Sequence, residues 1–501
     1  MKEKLQELRK RLAEIDAIDS TVQLLYWDQS TYMPPGGASA RARQLATLSQ
    51  ISHEKFIDPK IGSLLDDLRP YEETLSYDSD DASLIRVTRR HYERSVKVPP
   101  SFAAEFANHS AQCHDTWQKA RPANDFSLVE SLLAKTVELS RRYSDFFPGY
   151  EHIADPLIDL RDESMTVAVL RPLFENLRQQ LVPLVDAITS RKPADDVFLR
   201  KTFAEDKQIA FGKDIAKCFG YDFNRGRLDK TAHPFMIKFA LDDVRITTRV
   251  REDFLGDAMF SIMHEAGHAL YEQGFSPDLE STPLADGAST GVHESSSRLW
   301  ENIVGRSQGF WTHFYPKLQE EFPDQLKSVS LDNFYAAINK VERSLIRTDA
   351  DEVTYNLHVI IRFGLELELL EGTLSVKDLP EAWHESYKKN LGIVSSTDAD
   401  GVLQDIHWYH GTVGGSFQCY TIGNIIGSQF FQAALKAHPE INSEIEEGRF
   451  DTLHRWLTEN VYRHGRKFTA DEIVRQATGS SLSIEPYIEY LNKKYSELYC
   501  L

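Results

Sequence analysis

The five residues HEAGH, at 264–268, set two imidazoles and a carboxylate where one ion and one water molecule could meet. In an α-helix each residue advances roughly 100°, so His264 and His268 share a face, about 40° apart and one turn from each other. Two imidazoles so placed can bind one divalent cation. Glu265, about 60° to the side of His268, can reach a water on that ion without ligating it. The bland alternative is a pair of histidines that merely happen to lie at helical spacing. Gly267 tells against it, because glycine inside a helix costs about 1 kcal/mol relative to alanine and marks a place where another element comes close.

A catalytic metal of this kind needs a third protein ligand and one open position. Glu294, in GVHESSSRLWEN beyond the loop FSPDLESTPLADGAS, supplies that ligand if a second helix returns antiparallel to the first. Glu301, two turns further on, is then placed to orient a histidine through its other ring nitrogen, against the alternative of a surface ion pair. His384–Glu385 and His53–Glu54 compete weakly, since neither has a partner histidine at helical spacing.

These side chains need helices to hold them. Asp257 as N-cap and Gly274 as the residue past the end bracket a helix of about four turns around HEAGH. Upstream, Leu5, Leu8, Leu12 and Ile15 form one apolar stripe, which either packs within the chain or serves the segment of about 1–60 as a lid or dimer contact. The cluster MPPGG (33–37) must interrupt helix, and Pro99–Pro100, Pro148–Gly149 and Lys192–Pro193 break the helical pattern further on. The stretch 233–250, HPFMIKFALDDVRITTRV, is the main exception, its β-branched and aromatic content predicting a short hairpin or small sheet. The fold class is therefore mainly α, one unit over 1–501 in two lobes around a deep groove, with the chemistry-bearing motifs concentrated in 233–424.

Composition narrows the partners. A net charge of −19 spread along the chain, without a dense basic run, argues against nucleic acid. The four cysteines form no CxxC pair, and the charged N-terminus with no stretch of roughly 18 apolar residues gives neither a secretory signal nor a membrane span. A cytoplasmic protein without a membrane partner is the expectation.

Taken in order, WDQSTYMPPGGASARARQLATLSQISHE (27–54), HPF (233–235), DVRIT (243–247), HEAGH, HES (293–295), IRTDAD (346–351) and GVLQDIHW (401–408) resemble the carboxypeptidase Taq family of thermostable metallocarboxypeptidases along the whole chain. The resemblance implies a helical, two-lobed peptidase, commonly a homodimer, that removes C-terminal residues from peptides with broad specificity. It implies one divalent metal per subunit, zinc foremost and cobalt as the alternative, with His264, His268 and Glu294 as ligands and Glu265 as general base.

An exopeptidase acting at the C-terminus must hold a free carboxylate, for which a guanidinium offers two parallel hydrogen bonds. On residues alone, Arg347 with Asp351 reads as an i,i+4 ion pair; the IRTDAD match instead makes Arg347 the leading carboxylate ligand, with Asp351 behind it and Arg245 of DVRIT second. His233 and Arg245 fall further along the groove in this scheme. Gln404, Asp405 and His407 form a polar cluster of which two or three face the groove, and Tyr420 or His407 would donate to the developing oxyanion. The stretch GGSFQCYTIGN (414–424) departs from a family pattern closer to GYFPTYTLGN at Ser416, Gln418 and Cys419, so the loop that places Tyr420 can be shaped differently here. The same catalytic helix would equally serve an oligopeptidase or endopeptidase. A helical scaffold that has lost catalysis is the remaining alternative, and retention of Glu265 speaks against it.

Overall fold

The apolar stripe of the first helix, Lys2–Thr31, is where the chain begins to bury itself. Leu5, Leu8, Leu12 and Ile15 pack on Ile61, Leu64, Leu65 and Leu68 of helix Pro59–Glu72 and on Leu84, Ile85 and Val87 of helix Asp80–Lys97, and Leu279 and Leu284 complete a satellite core of 13 residues. This part of the helix is thus partnered within the chain. The computed structural model describes all 501 residues, and twenty-two α-helices dominate them. A second, much larger apolar cluster of 97 buried residues underlies the functional region.

Breaks in helix fall where the backbone chemistry demands them. The first helix stops at Thr31, Pro35–Gly37 makes one 3₁₀ turn, and helix resumes over Ala38–Phe56. Pro100 sits in the first turn of the next long helix, Pro100–Ala123, where its missing N–H costs nothing.

The expected small sheet is present and has one strand more than the hairpin the sequence suggests. Strand β1 (Leu228–Lys230) runs parallel to β3 (Asp243–Thr248), and β2 (Met236–Ala240) runs antiparallel to β3 on its other side. Met236 pairs with Ile246 and Ile237 with Arg245, with a bulge between Lys238 and Ala240. β1 is too short, at three residues, for its alternation to show in sequence. Ser20 of the first helix donates to the Phe239 carbonyl at 2.7 Å, tying that helix to the sheet. No helix is long and apolar enough to cross a membrane.

Candidate active site

The HEAGH motif lies on helix Leu255–Gln273. Phe254, with extended φ of −156°, precedes its first turn, so Asp257 is not the cap; it lies inside that turn and receives both forks of Arg249 at 2.8 and 2.9 Å. A carboxylate there complements the positive helix end. Gly274 closes the helix with φ −86°, so close packing and not left-handed backbone calls for glycine: a Cβ would sit 2.7 Å from that of Tyr462.

Helix Thr290–Arg298 begins at Ser289, whose hydroxyl accepts from Val292 N at 3.1 Å. It runs antiparallel to the HEAGH helix: Met263 abuts Gly305, His264 meets Glu301, His268 meets Glu294, and Tyr271 reaches Ala288. Gly267 makes the approach possible, since a Cβ there would lie 2.6 Å from Ser297 Cα. After Arg298 the helix widens into a π-helical turn, Leu299–Val304, which carries Glu301. Helix Gln418–Ala437, bearing Tyr420, crosses the same element, and a Cβ on its Gly423 would come within 2.6 Å of Glu294 Cγ.

Three ligand-type atoms converge. Nε2 of His264 and Nε2 of His268 lie 3.8 and 3.5 Å from Glu294 Oε2. The three ligand atoms all lie within 4.8 Å of one another. The opposite ring nitrogens are engaged: His264 Nδ1 with Glu301 at 2.8 Å and His268 Nδ1 with the His293 carbonyl at 3.1 Å. A nitrogen that donates to an acceptor leaves its partner nitrogen with a lone pair, so both Nε2 lone pairs face Glu294. Two nitrogens, one oxygen and room for a fourth position suit a divalent cation with an open site.

Around that donor set burial and neighbouring charge oppose each other. Burial would raise the pKa of Glu294, but Arg298 and the two histidines hold it far below the carboxylate range. Glu301, likewise opposed by burial, is held at about 2 by Arg298 and His264. Burial and the neighbouring His293 pull His268 down to about 4, keeping it neutral, whereas Glu294 and Glu301 raise His264 against burial. Glu265 is pushed up to about 7, chiefly by burial, with His264 opposing and Glu294 adding. A carboxyl poised near neutrality can take and return a proton.

These groups open onto a cleft of about 430 Å³, lined also by Pro234, Phe235, Met236, Ser289, Thr290, Tyr420 and the pair Asp286–Arg466. Residues 7–495 match the family model described as carboxypeptidase Taq (M32) metallopeptidase. The chain belongs to the carboxypeptidase Taq family. It is 40% identical over 486 residues to thermostable carboxypeptidase 1 of Thermus thermophilus, covering 95% of each chain. Against carboxypeptidase 1 of Bacillus subtilis it is 38% identical, covering 98% of this chain and 97% of that one. The crystal structure of the M32 carboxypeptidase from Deinococcus radiodurans superposes with a TM-score of 0.97 at 46% identity over the full length of both. The protein is therefore a metallocarboxypeptidase, a hydrolase of peptide bonds that works with a divalent metal.

Within this carboxypeptidase fold the other predicted residues separate into two groups. Arg347 is buried, on a 3₁₀ turn, with Nε and Nη2 on Asp405 and Nη1 on the Tyr355 hydroxyl at 3.0 Å. Its ring neighbours are Phe417 and Tyr420, which puts it one aromatic layer from the metal-facing side chains. Burial pushes His407 down to about 4, with Arg347 adding; its Nε2 lies 3.2 Å from the Tyr420 hydroxyl. Burial raises the Tyr420 phenol well above its ordinary value, so the group stays protonated and able to donate.

Four other predicted residues stand outside the contacts just described. Asp351 is not the ion partner of Arg347, because 347–349 is a 3₁₀ turn and the i,i+4 geometry never forms; its carboxylate accepts from Val353 N and Thr354 N at 2.9 and 3.0 Å, closing the turn that leads into the next helix. Gln404 spends its whole amide internally, accepting from Arg347 N and Arg362 and donating to the Leu345 and Asp400 carbonyls. Arg245 grips Asp243 and covers Trp27 and Phe239, away from the cleft lining. His233 is solvent-exposed, while its neighbours Pro234 and Phe235 line the cleft.

Sequence reasoning missed Arg298, which donates to Glu294 at 2.7 Å and to Glu301 at 3.3 Å; its i,i+4 and i,i+3 spacing to those glutamates was the available signal. It also missed Tyr355 and Arg362, which no local pattern marks. In the divergent loop, Gln418 donates to Asp162 and to the Gly415 carbonyl, and the Cys419 thiol to the Ser416 carbonyl. Asp162 in turn accepts from Gly291 N at 2.7 Å, linking this loop to the Glu294 helix.

Proposed function

We propose that the enzyme releases C-terminal residues from peptides by water attack, with His264, His268 and Glu294 holding zinc, or cobalt as the alternative ion, and Glu265 as general base. The observation that carries this reading is the convergence of both Nε2 atoms on Glu294, each ring fixed from behind. When bound there, a divalent ion supplies a Lewis acid for the carbonyl and acidifies water. Glu265 accepts the proton of the attacking water and delivers it to the leaving amine. Tyr420, with His407 at 3.2 Å steadying its hydroxyl, donates to the developing oxyanion.

Arg347 holds the peptide's terminal carboxylate. Asp405 and Tyr355 engage three of its five N–H donors, which leaves one donor on each terminal nitrogen for the substrate. The mixed lining, with Phe235 and Met236 beside the paired Asp286 and Arg466, supports broad side-chain acceptance. A homodimer and a cytoplasmic site complete the reading; all four cysteines are free, the state a reducing compartment maintains.

The test is a chelator-stripped preparation assayed on one peptide as free acid and as C-terminal amide. The expected outcome is activity restored by stoichiometric zinc and a strong preference for the free acid. Equal cleavage of acid and amide would instead assign an endopeptidase, and full activity without metal would end the reading.

A further inference from the structure

Behind Arg347 lies a second guanidinium that no recognised motif contains. Arg362 is on helix Tyr355–Glu371 and is 0% exposed, against 6% for Arg347. Its Nε donates to Asp405 Oδ2 at 2.5 Å, while Arg347 takes Oδ1 of the same carboxylate at 2.8 Å. Three more of its five N–H groups go to the His358 carbonyl, the Tyr387 hydroxyl and Gln404 Oε1, all neutral. Glu366, one turn further along the helix, gives Oε1 to the Trp408 indole and contacts neither guanidinium. Two buried cations thus share one anion.

Burying an unbalanced charge is costly unless something else neutralises it. Arg347 keeps two unpaired N–H groups and Arg362 one, and of the two only Arg347 lies against Tyr420, which lines the cleft. We propose that Arg362 is a positioning residue for C-terminal recognition: by sharing Asp405 it leaves one guanidinium charge of the cluster unneutralised, to be satisfied by the substrate's terminal carboxylate. The inference rests on the reading that Arg347 contacts that carboxylate. Without Arg362, Asp405 would neutralise Arg347 completely, and a free-acid peptide would gain little over its amide.

Arg362→Gln and Arg362→Lys lose the same guanidinium fork and differ in charge. For Arg362→Gln, KM for a free-acid peptide should rise by about tenfold or more with kcat little changed, and the preference over the amide should fall in proportion. Arg362→Lys should stay within about threefold of the parent. Equal behaviour of the two variants, whether both intact or both impaired, overturns the proposal. Arg347→Met separates the two layers of the argument: if it keeps the free-acid preference, the reading of Arg347 itself fails; if it loses the preference while Arg362→Gln keeps it, only the role of Arg362 fails. Should Arg362→Gln not fold, the double variant Arg362→Gln/Asp405→Asn, which removes one charge of each sign, is read in its place. Retained free-acid preference in it supports the charge argument, and loss overturns it.

Discussion

The metal-facing side chains and the Arg347 cluster flank the same tyrosine, Tyr420, yet they are built by opposite means. His264, His268, Glu294 and Glu301 come from two antiparallel helical segments, and each has its partner in place: Glu301 and a carbonyl behind the histidines, Arg298 behind the glutamates. Arg347, Arg362, Tyr387, Asp405 and His407 come from separated segments, and the region leaves His358 Nε2, Glu366 Oε2 and His407 Nδ1 buried without a partner. The first region is preorganised by these partners to receive a cation. The second holds two guanidiniums on one carboxylate together with unpaired polar atoms, as the proposal of a site completed by a bound carboxylate requires.

Substituting Glu265→Gln should separate the two most sharply. Loss of a general base typically costs 10²–10⁴-fold in rate, and here a fall in kcat of about 10³-fold is expected with KM little changed. Metal content, measured on the purified variant, should match the parent. A rise in KM with kcat preserved would move Glu265 from the chemistry to the binding side of the comparison.

The Arg347 side has a pH signature of its own in Glu366. Burial pushes this carboxyl up to about 7, against the Trp408 hydrogen bond. An acid with a raised folded pKa contributes stability that is fully present below its unfolded value near 4.5 and lost as pH rises through about 7. Glu366→Gln should therefore remove part of the decline in melting temperature between pH 5 and 8, worth up to about 3 kcal/mol at the alkaline end. Identical pH–stability curves for variant and parent would show that Glu366 ionises freely and that this region is better solvated than its geometry indicates.

The same contrast explains what could be read from the chain. Helix periodicity alone places His264 over His268, and Gly267 signals the approach that Ser297 makes. Glu301 was legible as a partner for a histidine because helical spacing survives the π-turn well enough to keep it on that side. The apolar stripe of Leu5 to Ile15 announced a partner but not which one. Spacing alone pairs Arg347 with Asp351, whereas its partner in the fold, Asp405, arrives through tertiary packing. Arg362 had no signal at all: a buried arginine in a largely apolar helix looks like any polar interruption until Asp405 is seen between two guanidiniums. Local regularity encodes the metal side, and long-range packing encodes the recognition side.

Glu301→Gln gives the smallest effect and the finest discrimination. Glutamine keeps an oxygen for His264 Nδ1 but loses the charge that Arg298 and His264 together hold deprotonated. Partners of this kind are worth about 10–100-fold in metal affinity. Chelator competition should thus show weaker metal retention, while kcat at saturating metal stays near the parent and the acid-over-amide preference does not move. In the proposed reading that preference is set by Arg347 and Arg362, which Glu301 does not touch. If Glu301→Gln altered acid-over-amide preference without altering metal retention, the two regions would be coupled through Arg298, whose guanidinium sits 4.5 Å from the ring of Tyr355, the residue whose hydroxyl holds Arg347.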